Sequence, residues 1–239
     1  ADFVVGQKVL VTGFGYGETR FGGLAEYAFV EPQHLLALPE SLSEQQAMAI
    51  GTAGFTAMLC VNALLEAGIE PQQGEVVVTG ASGGVGSTAL YLFKKLGYQT
   101  IAVSSKQTEY EWLSKLGANK IYPREEFNQV GKPLEKQLFA AVIDTVGGTI
   151  LSNLLGKLHY NGCAAICGLA QSHELHTTVM PFILRNIRLQ GIDSVFYPIE
   201  KRAAVWQRLS ELLDDEFYRL VTQEITLSQV AEQSAKFLQ

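Results

Sequence analysis

Cysteine and histidine are scarce in this chain, 3 and 4 among 239 residues. Cys60, Cys163 and Cys167 fall in apolar segments and form no C-x-x-C pair. That excludes a disulfide framework and a thiolate zinc site, and the thiols read as small core residues of a reducing compartment. His34, His159, His173 and His176 are scattered without an H-x-x-x-H pair, and the last two lie in a polar loop where solvation is expected. Positive charge is also in deficit: 18 Lys and Arg against 24 Asp and Glu give a net charge of −6. Without a basic patch, no nucleic-acid or membrane-surface partner is expected. No apolar run reaching the roughly 18 residues of a membrane span stands out. No basic-then-apolar leader precedes Phe3, so the expected compartment is the cytoplasm. The chain opens without methionine and stops at Lys236-Phe237-Leu238-Gln239 inside a helical pattern, so it reads as a piece of something longer.

What is present is a hydrophobic fraction of 47% with 18% charged residues, enough for a sizeable core. Residues 1–38 read as β structure: a strand-like Val9-Leu10-Val11-Thr12, a turn with Gly13, Gly15 and Gly17, then a second extended stretch from Gly22 to Val30. Ser43 and Gln46 make a capping box for a helix running towards Ala67. From residue 75 onward strands and helices alternate. Strands are expected at 75–79, 99–103, 119–122, 139–144, 162–167 and 187–192, and helices at 84–96, 108–116, 132–138, 148–158 and 178–186. This alternation predicts an α/β fold, a doubly wound parallel sheet with helices on both faces. An amphipathic helix over 199–214 and a short strand at Gln223-Glu224-Ile225 complete the pattern.

The β-branched run Val76-Val77-Val78 breaks into Ser82-Gly83-Gly84-Val85-Gly86, and a helix follows at once. Small residues let a phosphate approach the backbone, and the helix start offers free N–H groups and the positive dipole end. Ala81 stands where G-x-G-x-x-G has its first glycine, yet strand, turn, helix and next strand are in the order a dinucleotide site requires. The next strand ends Ser104-Ser105-Lys106, with no acid at 103–107 to accept from a ribose 2′-hydroxyl; the first acid is Glu109. Two hydroxyls and an ammonium suit a 2′-phosphate, so NADPH is the expected cofactor.

Three further stretches carry a resemblance. Gly22-Gly23-Leu24-Ala25-Glu26-Tyr27, Ile50-Gly51-Thr52-Ala53-Gly54-Phe55-Thr56-Ala57-Met58 and Ile143-Asp144-Thr145-Val146-Gly147, together with the glycine turn, resemble the medium-chain dehydrogenase/reductase superfamily. Within it the chain is similar to the quinone oxidoreductase branch and its acrylyl-CoA reductase group. The resemblance implies part of a GroES-like β domain at 1–48, an NADP-binding Rossmann domain at 49–193, and a C-terminal helix with a return to the catalytic domain at 194–239. It places Thr56 against the nicotinamide carboxamide and Leu169 and Ala170 by the nicotinamide ribose. It gives the 2′-phosphate to Ser104 and Lys106, where arginine is common in the family, and puts Arg124 near the adenine edge. It also implies a homodimer and a small-molecule substrate.

The activity so implied is hydride transfer to the β-carbon of an α,β-unsaturated carbonyl such as acrylyl-CoA, independent of zinc. A quinone reductase on the same scaffold and an NADPH-binding sensor without turnover stay open, because nothing in the residues separates a thioester from a quinone. No general acid or base is assigned. Asp144, closing the fourth strand, reads as structural.

Overall fold

The computed structural model describes residues 3–237. In chain order it contains β1 (Val9–Leu10), β2 (Leu36–Ala37), α1 (Glu44–Glu66), β3 (Val76–Thr79), α2 (Gly84–Lys95), β4 (Thr100–Val103), α3 (Tyr110–Leu116) and β5 (Ala118–Tyr122). It continues with β6 (Phe139–Asp144), α4 (Gly148–Leu155), β7 (Leu158–Ile166), α5 (Met180–Arg185), β8 (Arg188–Gly191), α6 (Ile199–Leu212), α7 (Asp215–Val221) and α8 (Val230–Phe237). β3 to β8 form one six-stranded parallel sheet in the order β5-β4-β3-β6-β7-β8, the expected doubly wound arrangement. The order reverses between β3 and β6, which opens a crevice at their carboxyl ends.

The strand sequences explain the two-faced core. Successive side chains point to opposite faces, so Val76, Val78, Ala102, Ala141, Ile143 and Ala165 join one cluster, beneath α1 and α2. Val77, Ile101, Val103, Val142 and Ala164 join the other, beneath α4. Every strand residue of β3, β4 and β6 is buried, which is why these segments read as unbroken apolar runs.

Several expectations need correction. Residues 22–30 form no strand, and the N-terminal β structure reduces to two-residue β1 paired antiparallel with β2. Residues 132–138 are not helical: Gly131 and Pro133 interrupt the start, and the backbone N–H groups of Glu135 and Leu138 bond outward to Gly156 and Lys157. Gln223-Glu224-Ile225 is irregular, while α7 was not foreseen. Among the described residues one helix, α1, is long and apolar enough by composition to cross a membrane, contrary to the run-length reading. It packs as a core helix, burying Phe55, Met58, Leu59, Val61 and Leu64, and Gly51 at φ 52° kinks it. The Ser43–Gln46 capping box at its start is formed as expected.

The small N-terminal piece is tied to the end of the sheet by one buried cation. Arg202 of α6, 1% exposed, donates to the carbonyls of Thr12, Ser194, Val195 and Tyr197 and stacks over Phe14 and Phe55. Its charge is spread over backbone carbonyls and ring faces, with no carboxylate among these partners. Burial pulls this guanidinium below its ordinary range.

Candidate functional site

The crevice at the strand ends contains a cavity of about 120 Å³. Ser82, Ser104, Lys106, Arg124 and Ala170, from four different loops, all line it. Ser105, the second hydroxyl of the Ser104-Ser105-Lys106 turn, lines it too, and so do Gly80, Val146, Ile150 and Gln171, which sequence reading did not single out as site residues. Gly80 borders the glycine turn, and Val146 lies inside the Ile143–Gly147 stretch that carries the resemblance. Gln171 had no signal in the sequence, because its place depends on how the loop after β7 folds back, with its N–H donating to the Val146 carbonyl and its side chain to Asn128.

The glycine turn is built by close approach. Gly80 has φ +54°, and a Cβ on Gly86 would lie 2.5 Å from the Gly80 carbonyl oxygen, so α2 packs against the turn with no room for a methyl. Gly83 caps α2 without any side-chain hydrogen bond. The N–H groups of the first turn, around Gly84, Val85 and Gly86, have no intrahelical acceptor and so face outward from an uncapped helix end. Gly83 and Gly84 are exposed, whereas Gly86 is buried.

A buried network holds the crevice open on its other side. The Thr79 hydroxyl donates to Asp144 Oδ1 at 2.6 Å, and the N–H of Gly147 donates to Oδ2 at 2.7 Å. Thr145 completes the splice, its N–H donating to Thr79 Oγ1 and its hydroxyl to the Thr79 carbonyl. Burial pushes the Asp144 carboxyl above its ordinary range, against the pull of those donors. Oδ1 ties β6 to β3 through Thr79, and Oδ2 holds the loop after β6 through Gly147.

After β4 the chain turns tightly. The N–H of Lys106 donates to Ser104 Oγ at 3.2 Å, and Tyr110 Oη donates to the Ser104 carbonyl at 3.3 Å. Ser104 is 5% exposed and lies in the cavity wall, while the Lys106 ammonium is exposed. Arg124, on the short helical turn after β5, is exposed on the same cavity. Six expected residues fall outside the cavity lining: Gly83, Gly84, Val85 and Gly86 of the glycine turn, and Thr56 and Leu169. Thr56 is buried in α1 and its hydroxyl donates to the Thr52 carbonyl at 2.7 Å. Leu169 is 65% exposed on the loop after β7, beside Ala170, whose N–H bonds the Thr145 carbonyl.

A family model described as zinc-binding dehydrogenase matches residues 84–213. Among the described residues no three His, Cys, Asp or Glu side chains converge. These residues offer no ligand set for the metal in that description.

The chain is 56% identical over 227 residues to a protein of Escherichia coli (strain K12) described as probable acrylyl-CoA reductase AcuI, covering 95% of this chain and 70% of that protein. It is 42% identical to acrylyl-CoA reductase AcuI of Ruegeria pomeroyi over 98% of this chain and 71% of the relative. The structure of E. coli K-12 YhdH with bound NADPH superposes with a TM-score of 0.96 at 54% identity, covering 99% of this chain and 73% of that one. Bacillus subtilis YhfP with NAD bound gives 0.95 at 41% identity, covering 99% and 72%. Matched over more than half its length by the family model, and over nearly all of it by these relatives, the chain belongs to the medium-chain dehydrogenase/reductase superfamily, in its acrylyl-CoA reductase and quinone oxidoreductase branch.

Proposed function

We propose that this protein is an NADPH-dependent reductase of an activated carbon–carbon double bond, with an acryloyl thioester of coenzyme A as its substrate class. The observation that carries the reading is the convergence of Ser82, Ser104, Lys106 and Arg124 on one cavity at the switch point of the sheet. When bound, NADPH supplies a hydride to the β-carbon of the α,β-unsaturated carbonyl. The chain's own residues bind and orient. The uncapped start of α2, with Ser82, Gly83, Gly84, Val85 and Gly86, takes the pyrophosphate on backbone N–H groups. Ser104 and Lys106 take the 2′-phosphate, the hydroxyl as a donor and the ammonium as a point charge.

Arg124 and the apolar Val146 and Ile150 offer the adenine a cationic edge and a flat wall. Thr56, Leu169 and Ala170 belong to the nicotinamide end in this reading. Thr56 must turn its hydroxyl away from the Thr52 carbonyl to reach the carboxamide. The piece at 1–48 and the segment at 194–239 belong to the catalytic domain, and the protein works in the cytoplasm.

A second copy of the chain completes the assembly in this reading. β8 pairs only with β7 among the described residues, so its outer edge is open. α5, which precedes β8 in the chain and packs on β7, exposes with its flank Val179, Ile183 and Leu184 at 67%, 72% and 57%.

Calorimetric titration with NADPH and NADH, followed by absorbance assays of NADPH oxidation with acrylyl-CoA and with a quinone, tests the activity. Expected are NADPH binding at least tenfold tighter than NADH (about 1.4 kcal/mol) and turnover with the thioester. Turnover with the quinone alone would replace the substrate. Tight binding with neither reaction would leave a sensor.

A further inference from the structure

The acid that an NAD site would place at the end of β4 is missing from 103–107, but the turn brings one back to the same spot. The N–H of Glu109 donates to the Lys106 carbonyl at 3.0 Å, closing a short helical turn over Gln107–Glu109. That turn sets Glu109 Oε1 3.8 Å from Lys106 Nζ. The other carboxylate oxygen, Oε2, is buried and has no hydrogen-bond partner. A carboxylate on an ordinary surface ion pair swings freely into water and contributes little. This one is held: one oxygen is shut away from solvent, and the other faces the lysine that lines the cofactor cavity.

We propose that Glu109 is a specificity-determining positioning residue, competing with the cofactor's 2′-phosphate for the Lys106 ammonium and so narrowing the preference for NADPH over NADH. The proposal rests on the cofactor reading above. The 2′-phosphate carries close to two negative charges at neutral pH. To meet it, Lys106 gives up a fixed counter-ion, and the phosphate settles near a carboxylate that cannot retreat. NADH brings only a hydroxyl to this place and meets neither cost. Arg124, the other cation on the cavity wall, has no acid within ion-pairing distance among the described residues and is left to the cofactor. Selectivity in this loop is therefore a difference between one attraction and one built-in repulsion.

Calorimetric titration of wild type, Glu109→Gln, Lys106→Met and the double variant with NADPH and NADH tests this. Glu109→Gln keeps the side-chain shape, and Lys106 is 60% exposed, so each variant is expected to fold; thermal melting checks it. Glu109→Gln should tighten NADPH roughly threefold to tenfold, the size of one nearby surface charge, with NADH unchanged within about twofold. In the Lys106→Met background the same substitution should give at most half that gain, measured as a fold-change. An unchanged NADPH/NADH ratio, or an equal gain without the lysine, would overturn the role of Glu109 while the wild-type preference still stands. A wild type that binds the two nucleotides equally, or neither, overturns the cofactor reading and this proposal with it.

Discussion

A methyl group at Gly86 would sit 2.5 Å from the Gly80 carbonyl oxygen and 2.6 Å from the Ala81 Cα, both backbone atoms that cannot step aside. At Gly83 the same methyl would meet one atom at 3.3 Å, on backbone that is extended and exposed. The two glycines of one motif therefore do different jobs. Gly86→Ala should cost about 2–4 kcal/mol by forcing helix and turn apart, read as a lower melting temperature together with lost NADPH binding. Gly83→Ala should melt within a few degrees of wild type and still bind NADPH more weakly, because its methyl stands where the phosphate approaches. Equal melting of the two variants would remove the close-packing role of Gly86. Sequence pattern alone marked both glycines, and also Ser104 and Lys106, since short-range spacing carries their positions. It could not see that Glu109 returns to face Lys106, or that Gln171 folds back onto the cavity. Those placements come from loop conformations and long-range hydrogen bonds.

At the scale of elements, continuous burial made the strands easy to read and left their connections obscure. β6 runs from Phe139 to Asp144 as the unbroken apolar pattern predicted, because both its faces are covered. Residues 132–138 had helical spacing but lacked a start, and their backbone found partners around α4 instead. α7 carried a readable signal that was missed: Asp214 followed by Asp215 and Glu216 is an N-cap with acids in the first turn. The Asp214 carboxylate accepts from the N–H groups of Glu216 and Phe217, from Tyr91 Oη and from Lys95 at 2.6 Å, so it also pins α7 to α2. Burial pushes its carboxyl up, but the Lys95, Tyr91 and Phe217 donors outweigh that and hold it well below the ordinary carboxylate range. A lowered folded-state value means that the stabilisation is present above the unfolded pKa and lost as pH falls through the folded one. Asp214→Ala should cost about 1 kcal/mol at pH 7, with half-exposed charge partners adding little. The gap in melting temperature between wild type and variant should narrow as pH drops below about 4. A gap that stays constant down to pH 3 would mean that the cap acts by shape and not by charge.

The whole molecule leaves one side of its sheet unfinished. On the other side β5 is a short edge strand that carries Lys120, ion-paired to Glu75 at 2.7 Å, a charged side chain of the kind that discourages further pairing. The β8 edge carries one exposed charge, Arg188, and its outer side is unpaired among the described residues; Val179 at the start of α5 and Ile183 and Leu184 within it are exposed on the segment that precedes β8. An excess of negative charge, −6 over the chain, repels copies at long range and is screened at physiological salt, so contact at this edge has to be made by apolar burial and backbone pairing. The proposed dimer joins two such edges about a two-fold axis, which makes each copy's α5 the neighbour of its partner's. Ile183→Arg places a charge in the middle of that contact without touching the cavity at the far ends of β3, β4 and β6. Light scattering after size exclusion should give twice the monomer mass for wild type at micromolar concentration and the monomer mass for Ile183→Arg, with NADPH affinity retained. A wild type that elutes as a monomer across the micromolar range would show that this edge is left unpaired, and a variant that stays dimeric would move the interface elsewhere on the surface.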